Sequence, residues 1–92
     1  MKNPRKIFML DDDDLIVSML SRALKKAGYE VRAETDAAGA VAKIKSFNPD
    51  VVLLDIRMPE RTGMEILQDI QESRINTQIV MLTADDTAET AV

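Results

Sequence analysis

A chain of 92 residues, 46% apolar and 30% charged, is sized for one hydrophobic core and composed like a globular domain rather than a disordered one. Its formal charge is −4 with no basic stripe, which argues against direct nucleic-acid binding. It holds no cysteine and no histidine, which excludes disulfide scaffolds, thiolate or imidazole metal sites, thiol nucleophiles and histidine-based triads.

The first apolar run, Ile7-Phe8-Met9-Leu10, is continuous, as suits a strand covered on both faces. A helix follows, with Ile16, Met19, Leu20, Ala23, Leu24 and Ala27 recurring at helical spacing. Asp13 or Asp14 can cap its start, Lys25 and Lys26 suit the negative end of its dipole, and Gly28 follows its last turn. Tyr29, Val31 and Ala33 then alternate with Glu30, Arg32 and Glu34, the pattern of a half-exposed edge strand. The spacing predicts a second helix from about Ala37, capped by Thr35 or Asp36, through Ala40, Val41, Ile44 and Phe47. Asn48-Pro49 stops it, and Gly39 weakens it from within. Val51-Val52-Leu53-Leu54 reads as a third strand covered on both faces. A third helix begins near Gly63, carries Met64, Leu67 and Ile70, and ends before Asn76. Ile79-Val80-Met81-Leu82 is the fourth strand, again continuous and so expected to be covered on both faces. Strands alternating with helices predict right-handed crossovers and one α/β domain with a doubly wound parallel sheet. No run approaches the roughly 20 apolar residues of a membrane span and no signal peptide opens the chain, so the expectation is cytoplasmic, without membrane contact.

In such a sheet, function sits beyond the carboxyl ends of the strands. Nine of the sixteen acidic residues fall there: Asp11, Asp12, Asp13 and Asp14 after strand one, Glu34 and Asp36 at strand two, Asp55 at strand three, Asp85 and Asp86 after strand four. Acidic residues collect in loops for bland reasons, but Asp55 interrupts an apolar run at a strand end, and Asp11 and Asp12 come straight off Leu10. With strand order 2-1-3-4, strands one and three are neighbours and these carboxylates lie about one strand spacing, roughly 5 Å, apart. At an effective dielectric near 20 two such charges repel by about 3 kcal/mol, so protonation or a cation must relieve them. Oxygen donors without nitrogen or sulfur favour Mg²⁺ or Ca²⁺. A carboxylate beside Mg²⁺ can be a nucleophile toward phosphorus, giving an aspartyl phosphate, and Thr83 could hydrogen-bond the phosphoryl oxygens.

The acidic pair Asp11-Asp12, the segment Leu53-Leu54-Asp55-Ile56-Arg57-Met58-Pro59 leading to Gly63, and Val80-Met81-Leu82-Thr83-Ala84 resemble, in that order, the receiver domain of two-component response regulators. The resemblance implies a flavodoxin-like fold and a phosphoacceptor at Asp55. It makes Asp12 a direct Mg²⁺ ligand, Asp11 a ligand through water, and the Arg57 backbone carbonyl a further ligand beside Asp55. Thr83 becomes the switch hydroxyl, Arg57 and Asp85 modulate the phosphate's lifetime, and Met58-Pro59 with Gly63 shape the pocket floor. Asp13 and Asp14 are read as helix capping and solvated charge.

Rival acidic motifs fail on spacing. A calcium-binding loop starting at Asp11 would need an acid at Leu15 and glycine at Ile16. A haloacid-dehalogenase phosphatase would need a second acid where Arg57 stands, and three glycines leave no glycine-rich phosphate loop. The family's fold also has a fifth strand and two further helices. This chain reaches Val92 in what reads as the start of helix four, without the fifth-strand lysine and its aromatic neighbour. The expectation is therefore a receiver segment, residues 1–92, carboxyl-terminally incomplete, lacking the fifth strand and last helix. It is not a conventional enzyme but a phosphoacceptor that assists its own phosphorylation and dephosphorylation. Its expected partners are a sensor histidine kinase, an output domain in the parent protein, and a second copy, through strand four or element exchange. The rival expectation is a phosphorylation-incompetent module acting only in association.

Overall fold

The computed structural model describes residues 5–56 and 62–82. Seven elements follow in order: β1 (Lys6–Leu10), α1 (Asp14–Lys26), β2 (Glu30–Glu34), α2 (Ala40–Phe47), β3 (Val51–Asp55), α3 (Gly63–Glu72) and β4 (Gln78–Leu82). The four strands are all parallel, in the order β2-β1-β3-β4, which is the doubly wound arrangement expected from the apolar runs.

The alternation of side chains along each strand divides the core in two. Phe8 and Leu10 of β1, Val52 and Leu54 of β3, and Ile79 and Met81 of β4 share the face that packs with Ile44 of α2 and with Ile66 and Ile70 of α3. Phe8, Leu10, Ile44, Val52, Leu54 and Ile66 there have no exposed surface. The opposite face carries Ile7 and Met9, both buried, and α1 lies over β1 and β2 on that side. No residue of α1 is fully buried; its least exposed positions are Ile16, Val17, Ser21 and Leu24. Met19, expected on the covered stripe, is 62% exposed.

Three further expectations are corrected. Helix α2 starts at Ala40, not near Ala37, and neither Thr35 nor Asp36 caps it. The Asp36 Oδ1 instead accepts the Ala38 N–H at 2.9 Å, and Gly39 takes a left-handed conformation (φ 68°) at the cap position, so residues 36–39 form a turn that delays the helix. On α3 the buried residues are Gly63, Ile66 and Ile70, while Met64 is 58% exposed. Strand β4 is not covered on both faces: Val80 is 42% exposed, and among the described residues β4 pairs with β3 alone. The edge character of β2 is as the alternation predicts, though the strand begins at Glu30, one residue after Tyr29.

Caps explain the other boundaries. Asp13 is the N-cap of α1, its side chain accepting from the Leu15 and Ile16 N–H groups, and Asp14 opens the helix. Gly28 (φ 103°) ends it, after Lys25 and Lys26 in the last turn. Thr62 and Glu65 make a reciprocal capping box at the start of α3.

Candidate functional site

Register brings the acidic residues together. Leu10 of β1 is paired with Leu54 of β3, so the next residues, Asp11 and Asp55, leave adjacent strands side by side at the carboxyl edge of the sheet. Each is held by hydrogen bonds to a neighbouring strand. The Asp11 N–H donates to the Glu34 carbonyl at 3.2 Å, and the Ile56 N–H, just after Asp55, donates to the Leu82 carbonyl at 3.1 Å. Asp11 and Asp55 are 5% and 8% exposed, whereas Asp12 stands in solvent. One carboxylate oxygen from each of Asp11, Asp12 and Asp55 lies within 4.8 Å of the others.

Two nearly buried carboxylates and a third at their rim cannot all be charged at that separation without a strong mutual penalty. All donors are oxygens, so the cluster suits a hard cation better than a transition metal. The residues just outside the cluster have other work. Asp13 caps α1 and Asp14 is exposed in its first turn. Glu34 pairs with Lys43 Nζ at 3.2 Å and with Arg32 Nε at 3.5 Å, tying β2 to α2. Asp36 holds the turn before α2. Of the acids expected at this edge within the described residues, three converge and the rest serve local structure.

The floor beneath Asp55 comes from α3. Its first residue, Gly63, donates its N–H to the Ile56 carbonyl at 2.9 Å, bringing the start of the helix against the end of β3. Arg57, Met58 and Pro59, together with Thr83 and Asp85, lie outside the described residues. A Thr62–Glu65 capping box, not among the features expected above, fixes where α3 begins; its Thr-x-x-Glu spacing is the signal that reveals it.

Comparison with known proteins agrees with this geometry. Residues 7–92 match the family described as response regulator receiver domain. The chain is 33% identical over 82 residues to the alkaline phosphatase synthesis transcriptional regulatory protein PhoP of Bacillus subtilis, covering 89% of this chain and 34% of that protein. It thus spans about a third of the length of the curated relatives it matches. Among solved structures, the Vibrio cholerae chemotaxis protein CheY4 superposes with a TM-score of 0.84 at 33% identity, over 96% of this chain and 75% of that one. Response regulator protein TrrA of Thermotoga maritima, solved in complex with Mg²⁺-BeF, gives 0.81 at 31% identity, over 96% and 76%.

Proposed function

The chain belongs to the response regulator receiver family, and from that premise we propose that Asp55 accepts a phosphoryl group from a sensor histidine kinase. The observation that carries this reading is the convergence of Asp11, Asp12 and Asp55 within 4.8 Å, with Asp55 nearly buried at the carboxyl end of a central strand. A carboxylate oxygen of Asp55 attacks phosphorus, forming an acyl phosphate. The bond from phosphorus to the kinase's imidazole nitrogen breaks, and the electron pair stays on that nitrogen, which then takes a proton.

The cluster fits Mg²⁺. Ligand oxygens at about 2.1 Å from the ion lie at most about 4.2 Å apart across it, so a spread of 4.8 Å closes with a small side-chain rotation or one bridging water. Asp12 and Asp55 would ligate directly and Asp11 through water, with the Arg57 carbonyl completing the protein's share. When bound, the ion would neutralise the carboxylates and the charge on the phosphoryl oxygens. The Mg²⁺-BeF complex of the Thermotoga maritima relative supports Mg²⁺ as the ion. Thr83 is proposed as the switch hydroxyl, and Arg57 and Asp85 as the groups that set the lifetime of the phosphate.

In a longer parent protein, the change at this edge would pass to an output domain in the cytoplasm. We also propose that the chain self-associates through β4. Among the described residues β4 pairs with β3 alone, and Val80 is 42% exposed; both support that reading, and sedimentation at micromolar concentration tests it. The test of function is incubation with acetyl phosphate and Mg²⁺. The expected result is a mass increase of one phosphate mapping to Asp55 and absent in Asp55→Asn. A label elsewhere, or none, overturns the proposal and leaves the association-only reading.

A further inference from the structure

Gly63 stands where no other residue fits. A Cβ built on it would overlap the Asp55 carbonyl oxygen, and would sit 2.8 Å from the Ile56 Cα and 3.0 Å from the Asp55 carbonyl carbon. All three are backbone atoms of the strand end that carries the candidate phosphoacceptor, so no side-chain rotation can make room. The need is not for a left-handed backbone, since Gly28 and Gly39 have positive φ and Gly63 does not. The need is for contact: the Gly63 N–H reaches the Ile56 carbonyl at 2.9 Å only because nothing projects between the two segments.

The α3 side of that contact is anchored from several directions. Ile66 and Ile70, three and seven residues on, have 0% and 1% exposure and lock the helix into the core with β1, β3 and α2. The Thr62–Glu65 box fixes its first turn. The Asp55 peptide is held on its other side by β4, through the Ile56 N–H to the Leu82 carbonyl at 3.1 Å. A side chain at position 63 therefore has to displace either a well-packed helix or the Asp55–Ile56 peptide. The peptide lies at the sheet's end, where the carboxylate of Asp55 must stay within reach of Asp11 and Asp12.

From this we infer that Gly63 is a positioning residue for the reaction at Asp55: its missing side chain lets the start of α3 set the height of the Asp55 peptide, and with it the carboxylate, against Asp11 and Asp12. The inference rests on the phosphoacceptor reading of Asp55 and adds the residue that fixes its position.

The test compares Gly63→Ala with Ile70→Val, a core truncation on the same helix that removes one methyl far from the sheet edge. Both are expected to lower the urea midpoint. Gly63→Ala is expected to reduce the rate of labelling by acetyl phosphate about tenfold or more, and to weaken Mg²⁺ binding, followed by backbone amide shifts, by a similar factor. Without metal, its Asp55 and Ile56 resonances should move more than those of Val51 and Val52. Ile70→Val should keep labelling and Mg²⁺ affinity within about twofold of wild type. Equal losses in both variants, or wild-type labelling and affinity in Gly63→Ala, would overturn the inference. A Gly63→Ala chain that does not fold leaves the decision to the unmodified protein. There, Mg²⁺ should shift the Gly63 amide in step with that of Ile56 while Ile70 stays still. A stationary Gly63 beside a responding Ile56 overturns the inference. A wild-type chain without label on Asp55 overturns the phosphoacceptor reading instead.

Discussion

The backbone N–H of Asp13 donates to Asp11 Oδ1 at 2.9 Å, so one oxygen of a buried metal-site candidate also shapes the turn that starts α1. Asp13 in turn accepts from Leu15 and Ile16, so the site and the helix cap form one chain of hydrogen bonds. Asp11→Asn and Asp11→Ala both remove the charge, but only the amide oxygen of asparagine can keep the bond to Asp13. The alanine variant is expected to be less stable than the asparagine variant by about 1 kcal/mol, the ordinary worth of one such bond. Urea unfolding without divalent cations measures the difference, and equal midpoints would show that the turn does not depend on Asp11.

Among the described residues Asp12 has no such second role, and it stands exposed beside the two buried carboxylates. It is free to turn fully toward a cation. Asp12→Asn is therefore expected to weaken Mg²⁺ binding more than Asp11→Asn does, because a direct charged ligand becomes a neutral amide. Amide-shift titrations of both variants decide it, and the reverse order would exchange the direct and water-mediated roles.

The strands and the acidic edge were legible because parallel strands leave a plain mark: continuous apolar runs ended by a carboxylate at Leu10-Asp11 and Leu54-Asp55. Even the pairing of Asp11 with Asp55 follows once strand order is inferred. Less legible was anything decided by local competition or by contact. The start of α2 depends on Asp36 bonding Ala38 and on Gly39 turning left-handed, which propensity alone does not rank against a helix. The buried face of α3 depends on Gly63 being pressed against β3, which rotates Ile66 and Ile70 inward and Met64 outward. A stripe through Met64, Leu67 and Ile70 has helical spacing too, so periodicity could not choose between them. The switch role of Thr83 and the modulating roles of Arg57 and Asp85 follow from the resemblance alone, and all three residues lie outside the described ones.

That rotation of α3 gives a direct stability contrast. Ile66 has no exposed surface and packs in the cluster with Leu54 and Ile44, so Ile66→Ala is expected to cost about 2–5 kcal/mol. Met64, 58% exposed, should tolerate alanine within about 0.5 kcal/mol. Comparable losses at the two positions, by chemical denaturation, would mean that the helix faces the sheet along the Met64, Leu67 and Ile70 stripe.

The carboxylate cluster costs the fold stability when no cation is bound. Asp11 and Asp55 are both nearly buried, and their oxygens lie within 4.8 Å of each other and of Asp12. In the unfolded chain the same groups are hydrated, with Asp55 far from the other two along the sequence, so their repulsion is a burden on the folded state. Hydrogen bonds such as that from the Asp13 N–H to Asp11 offset part of it, and the exposure of Asp12 screens another part. Removing one of the buried charges while keeping shape should therefore stabilise the fold: Asp55→Asn is expected to gain about 1–3 kcal/mol over wild type in a chelating buffer. Adding millimolar Mg²⁺ should raise the wild-type midpoint, because the ion binds the folded cluster and not the dispersed carboxylates, and should raise that of Asp55→Asn less. The gap between the two proteins is then expected to narrow as metal is added. An Asp55→Asn variant no more stable than wild type in chelator would show that the surrounding groups already neutralise the cluster, and a gap independent of Mg²⁺ would remove the cation from its energetics.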